Sequence, residues 1–393
     1  MIELAIENKG FLFIAYFIVL IVLILSIKRK NSKDVFLSKY DSQVLKGVSA
    51  ILIVLHHLSQ RIGINIITLP YIEIGKYSVA LFLFLAGFGV MSSYLSNKNY
   101  LNGFLKKRIL TIYVPFVISN IIFIVVDLIK GQDFEAIDII KYALGIKLID
   151  GVMWFIYSIV IFYLIFYISF RFTTIKKGTI IFSIGAFIYL ILGIVLNLGT
   201  TITNIAFSFA GGIFVAAYKE NFIRFLNKKY VFKIIGIIAI LGITRIISII
   251  SSNIFIREFI LNISTLSYAI LLVSLSKRFK LTGNIIALLS GISFEIYLLH
   301  NKLITVIPNI NGSIIIGIMY FITLVILSYI FRRINEFINN KLVIKNNIKG
   351  TTPRTKGSRH ININLSRFNG YDANATNVVF PLILPIVTSA SLG

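Results

Sequence analysis

The sequence predicts an all-α fold, a polytopic integral membrane bundle of about eleven transmembrane helices. Three observations predict it. Apolar runs of 16 to 21 residues recur along most of the 393-residue chain, each long enough to cross a hydrocarbon core of about 30 Å as a helix. Hydrophobic residues make up 57% of the sequence and charged residues only 14%, a balance foreign to soluble domains of this length. The basic residues also alternate between loops in a regular way.

The expected spans are 11–27, 44–58, 77–95, 109–129, 152–170, 179–197, 201–218, 231–250, 259–275, 284–300 and 313–331. In the first, the basic cluster follows the apolar run instead of preceding it, which argues for an anchor over a signal peptide. Gly211 and Gly212 make the seventh the least secure as a straight helix. Loops 28–43, 96–108, 171–178, 219–230, 276–283 and 332–349 hold 24 Lys and Arg, whereas the alternate set holds 8. This is the positive-inside pattern. It predicts a multi-pass protein of the cell membrane with its N-terminus outside and residues from 332 onward in the cytoplasm. It also accounts for most of the formal charge of +24, so nucleic acid is not an expected partner and membrane lipids are.

Composition excludes several chemistries. With no cysteine there are no disulfides, thiolate nucleophiles or Fe–S clusters. The four histidines, His56, His57, His300 and His360, lack metal-ligand spacing, so no metal centre and no permanently bound cofactor are expected. Three segments are expected: an extra anchor with its basic loop (1–39), a membrane domain (40–335) and a flexible cytoplasmic tail (336–393).

Within the second span, "KGVSAILIVLHHLSQR" (46–61) carries ionisable groups that a plain anchor does not need. Lys46 and His57 are eleven residues apart, about 20° off a common azimuth and on the order of 16 Å along the axis. They share a face, with Lys46 toward the cytoplasm and His57 toward the outside. His56 points about 100° away. The face either lines a path between the two sides or places a snorkelling lysine and an interfacial histidine in the headgroup layers.

A basic residue, ten residues, then histidine resembles the signature of the membrane-bound acyltransferase 3 family, whose members O-acylate cell-envelope sugars. "SVALFLFLAGFGV" (78–90) is similar to its G-V-x-L-F-F-V-x-S-G-F-L-I element. "FLKKRILTIYVPF" (104–116) resembles its basic-then-proline element, with Arg108 and Pro115. "MWFIYSIVIFYLIFY" (153–167) is similar to its Trp-Phe/Tyr-Leu helix, and "GISFEIYLLH" (291–300) to its late S-x-x-x-Y-x-x-H element. The resemblance covers about residues 40–335. The chain departs from the pattern at Lys46, where the family has arginine, at Ala86, where it has serine, and at Ala80, often acidic.

The resemblance implies a bacterial membrane O-acyltransferase that takes an acyl group, acetyl by default, from cytoplasmic acetyl-CoA. The acceptor is a hydroxyl of an envelope or capsular polysaccharide or its lipid-linked precursor. His57 is the expected base or acyl carrier. Tyr297 and His300 would bind the oxyanion or the sugar. Lys46, Arg108 and Lys107 would hold the donor phosphates, with Lys106 left to set topology. Ser293, Tyr297 and His300, spaced four and three, share a helical face. Glu295 points elsewhere and needs a partner in the bilayer; Arg245 is the candidate. Asp127 either orients His57 or faces water. Trp154 is an interfacial anchor or a sugar stacker. A transporter or sensor for a small solute is the rival class, because Lys46, His57, Arg245 and Glu295 suit a solute path as well.

Overall fold

A computed structural model describes residues 9–31, 34–62, 69–307 and 314–349, with side chains for 18–31, 34–61, 71–307 and 315–338. The chain divides into two units, Met1–Asn339 and Asn340–Gly393, the second described only as the end of one helix. The expected tail is helical as far as Lys349; residues 350–393 lie outside the described residues.

The elements are α1 (Lys9–Ser26), β1 (Ile27–Arg29), α2 (Lys39–Ile62), α3 (Leu69–Ile72), α4 (Ile74–Ser96), α5 (Phe104–Ile129), α6 (Ala136–Ala143), a 3₁₀ turn (Gly151–Trp154) and α7 (Phe155–Arg171). There follow α8 (Ile175–Val195), α9 (Thr200–Thr203), α10 (Ala206–Ala217), α11 (Lys219–Asn227), α12 (Tyr230–Ile250), α13 (Ile254–Leu275), β2 (Phe279–Leu281), α14 (Asn284–Gly291), α15 (Ser293–Val306) and α16 (Ile314–Lys349). Nine helical segments among the described residues are long and apolar enough to cross a membrane. This is a polytopic helical membrane protein.

The other two expected spans differ in instructive ways. α1 stands where the first was expected, with side chains described only from residue 18. The span expected at 284–300 is two helices, broken at Ile292 and continuing to Val306. His300 therefore lies in the middle of α15 instead of at an end.

α2 begins at Lys39, five residues before the expected start. Ser38 and Asp41 explain this. The Asp41 amide donates to Ser38 Oγ (3.1 Å) while the Ser38 amide donates to Asp41 Oδ2 (2.8 Å), a reciprocal capping box that satisfies two donors at the helix start. Lys46 is consequently inside the helix, about 10 Å from its first residue. The Asp41 carboxylate also receives buried Lys30 Nζ at 2.5 Å. β1 pairs antiparallel with β2, Lys28 opposite Lys280, and Lys280 binds Asp34 at 2.9 Å. This small ribbon ties α1 to the bundle.

The seventh span is broken at Asn204–Ile205, between α9 and α10. A broken helix in a bilayer needs its freed backbone groups satisfied by neighbours, and α13 supplies them. Asn262 accepts from the Phe207 amide (3.2 Å) and donates to the Thr203 carbonyl (2.8 Å). Thr265 Oγ1 donates to the Asn204 carbonyl (2.7 Å), and Thr203 Oγ1 donates to Glu258 (2.6 Å). Just beyond, α10 packs on α4 backbone to backbone. A Cβ on Gly212 would fall 2.0 Å from the Phe84 carbonyl oxygen, and one on Gly87 2.2 Å from that of Phe209. Such small-residue contacts allow close helix approach in membranes, where dispersion and not water drives association.

Candidate active site

α2, α4, α15 and the 3₁₀ turn assemble a polar cluster at the His57 end of the bundle. The α2 histidines come first. His56 Nδ1 lies 3.0 Å from the Tyr71 carbonyl, which can only accept, so that nitrogen carries the proton. Its ring rests on α4 at Gly75, where a Cβ would fall 2.3 Å from the imidazole. The adjacent His57 ring, 4.7 Å away, lies against His300 of α15, with centroids 5.1 Å apart. His57 Nδ1 meets Gln60 Oε1 at 2.9 Å. With the amide oxygen accepting, Nε2 of His57 is left as a lone-pair acceptor.

His300 is fully buried. Its Nδ1 sits 2.7 Å from the Tyr297 carbonyl, so Nδ1 bears the hydrogen and the neutral ring presents a lone pair at Nε2. Nε2 has no partner among the described residues. Tyr320 fixes the backbone here, its hydroxyl donating to the His300 carbonyl at 3.1 Å. The Tyr297 hydroxyl donates to the Val152 carbonyl. Its one proton is thereby engaged in holding the 3₁₀ turn against α15.

Sequence reasoning missed Asp150, Asn301 and Lys302. Asp150 caps the 3₁₀ turn, Oδ1 accepting from the Val152 amide at 3.2 Å and from Asn301 Nδ2 at 2.7 Å. A signal was present for each. Aspartate before a turn is a capping residue type, and Asn301-Lys302 interrupts an apolar run.

Two expected partnerships are corrected. Asp127 does not orient His57: both its oxygens receive Lys302 Nζ at 2.5 Å, because α15 extends past His300 and carries that lysine to the end of α5. Arg245 does not pair with Glu295. Arg245 meets Glu73 at the start of α4, 2.6 Å away, and Lys76 joins the same carboxylate. Glu295, in the first turn of α15, faces α16 and Arg332 at 3.6 Å. Ser293, seven residues before His300, lies about 10 Å below it along the helix.

At the other end of α2, Lys46 is half-buried and close enough to Arg108 for their charges to interact. Arg108 is held by Tyr100, whose hydroxyl accepts from Nε at 3.1 Å and Nη2 at 2.5 Å. Neither cation has a carboxylate partner among the described residues. Lys106 and Lys107 are exposed. Between the two ends, the Lys46–His57 face carries buried Ala50 and Ile53. A void of about 10 Å³ lies there, lined by Ile53, Val79, Phe82, Phe155, Phe294 and Tyr297. It is at the lower limit for a single water, so this void holds nothing larger.

The arrangement offers imidazole lone pairs at one end of a packed apolar strip and uncompensated cations at the other. The sequence model of one protein family, described as an acyltransferase domain, matches residues 39–333. The chain belongs to the acyltransferase 3 family. No curated protein and no solved structure matches it. This acyltransferase 3 member is thus a multi-pass membrane acyltransferase. The family match begins at the first residue of α2, so α1 and β1 precede it. Within the match, the two imidazoles come from α2 and α15, near its opposite ends.

Proposed function

We propose that the protein moves an acyl group, acetyl by the family's precedent, from acetyl-CoA to a hydroxyl of an envelope or capsular polysaccharide or its lipid-linked precursor. On this reading the Lys46 end is cytoplasmic, as the loop charges favour, and the N-terminus is outside. The membrane is the cell membrane. The donor phosphates lie near Lys46 and Arg108, two cations with no carboxylate partner among the described residues. The thioester arm runs along α2 to the imidazoles, displacing the side chains around Ile53. Trp154 and the 3₁₀ turn flank the acceptor.

The observation that carries the reading is the facing pair His57 and His300, with a buried His300 Nε2 that has no partner among the described residues and with His57 about three turns of α2 from Lys46. In the transfer, an imidazole Nε2 takes the proton of the acceptor hydroxyl as its oxygen bonds to the thioester carbon. The tetrahedral oxyanion collapses, the C–S bond breaks, and the leaving thiolate takes the proton back from the imidazolium. The second imidazole orients the hydroxyl. Tyr297 serves as a positioning residue, since its proton is committed to Val152.

The test uses the full chain in proteoliposomes with radiolabelled acetyl-CoA inside and candidate glycans outside. Label is expected on the glycan, reduced about 10²- to 10⁴-fold by His57→Ala or His300→Ala. Glycan labelling unchanged in both variants, or no labelled glycan from the wild type, overturns the proposal.

A further inference from the structure

Asp150 has a second oxygen that the capping contacts do not use. Oδ1 is occupied by the Val152 amide and Asn301. Oδ2 is buried and has no hydrogen-bond partner among the described residues, in a residue only 6% exposed. A buried carboxylate oxygen left unpaired is costly, and native structures seldom leave one without a purpose.

Its surroundings say what it lacks. The carboxylate is close enough for its charge to act on both His300 and Tyr297. The Tyr297 proton is committed to Val152. His300 Nε2 is likewise buried and unpartnered, and in the neutral tautomer fixed by Nδ1 it is an acceptor. Two acceptors cannot satisfy each other. Each lacks a donor hydrogen, Asn301 ties Asp150 to the residue next to His300, and one hydroxyl brings only one hydrogen.

We propose that Asp150 Oδ2 and His300 Nε2 together bind a pair of neighbouring hydroxyls on the acceptor. The hydroxyl on His300 is the one to be acylated, and the one on Asp150 is an anchor that selects a polyol over a simple alcohol. This deepens the transferase reading and rests on it. Asn301 and the turn amide are positioning groups, because they fix Oδ1 and leave Oδ2 directed at the acceptor.

Trp154 is the only tryptophan and ends the turn that Asp150 caps. Its fluorescence therefore reports binding independently of turnover. Purified full-length protein is titrated with methyl hexopyranosides, each of their monodeoxy isomers, and glycerol. Wild type should bind at least one pyranoside about 10- to 100-fold more tightly than one monodeoxy counterpart, the scale of one hydrogen bond to a charged group. Asp150→Asn keeps an oxygen for the Val152 amide and Asn301 but puts an amide where Oδ2 was. It should bind both members of that pair within about threefold of each other. Glycerol binding that matches the pyranoside would assign the diol to an acyclic acceptor.

Wild type that does not distinguish any pair overturns the inference with no variant needed, as does full discrimination by Asp150→Asn. The same preparations are assayed for acyl transfer. Discrimination without transfer to any acceptor leaves the hydroxyl-pair site standing and sinks the transferase reading. Transfer without discrimination does the reverse.

Discussion

Substituting Gly212 by alanine should push α10 away from α4, one of the helices on which the site is built. The added Cβ would sit 2.0 Å from the Phe84 carbonyl oxygen and 2.7 Å from the Phe88 amide nitrogen. Ordinary contact begins near 3.4 Å, so α10 must retreat from α4 by about 1.4 Å, or the backbone must bend. Both obstructing atoms belong to helical backbone, so no rotamer change relieves the clash. Over-packing costs about 1–3 kcal/mol when side chains can adjust. With backbone on both sides, the upper end, about 3 kcal/mol, is the expectation. Phe209 oxygen against Gly87 is pulled away by the same motion, so the loss is cooperative. In detergent-purified protein this should lower the melting temperature by at least about 5 °C. Acyl transfer should fall with it, since α4 supports the His56 ring at Gly75. Gly236→Ala and Gly242→Ala are the controls. Among the described residues nothing lies within 4 Å of a Cβ at either position on α12, and alanine should leave stability unchanged or raise it by up to about 1 kcal/mol through helix propensity. Wild-type melting in Gly212→Ala, or an equal loss in Gly236→Ala, would refute the packing argument.

Ile53→Trp should fill the passage beside the small void and abolish transfer to glycan while donor binding at the Lys46 end persists; equilibrium dialysis with labelled acetyl-CoA measures the second property. Lys46→Ala and Arg108→Ala should each raise the donor KM about tenfold or more with a smaller effect on kcat, and a pure kcat effect would count against a phosphate role. The ribbon that ties α1 to the bundle should resist acid. Its Asp34 carboxyl is held below the ordinary 3.8 by the hydrogen bond from Lys280, aided by the Asn31 amide. A group with a lowered folded pKa contributes above its unfolded value and loses that contribution as pH falls through the folded one. Amide exchange across residues 27–29 should therefore stay protected at pH 5 and accelerate only below about pH 4, whereas Lys280→Ala should accelerate it at neutral pH.

Much of the molecule was legible in the sequence because a bilayer leaves a chain few choices. Backbone groups in hydrocarbon must pair within their own helix, so run length alone located most spans, and helical periodicity placed Lys46 and His57 on one face. Capping and breaks were harder to read. The start of α2 depends on a Ser38–Asp41 exchange, and the interruption at Asn204 is tolerable only because Asn262, Thr265 and Glu258 stand opposite it on α13.

The tertiary structure alone decided which polar groups meet. Arg245 went to Glu73, Glu295 to Arg332 and Asp127 to Lys302, because ion pairing in a membrane follows depth and helix neighbours, neither of which periodicity encodes. The contact of His57 with His300, and the link of Asp150 to Asn301 beside His300, arise from three segments distant in the chain. A one-dimensional pattern fixes what each helix offers to its surroundings; the packing of helices determines which surroundings it receives.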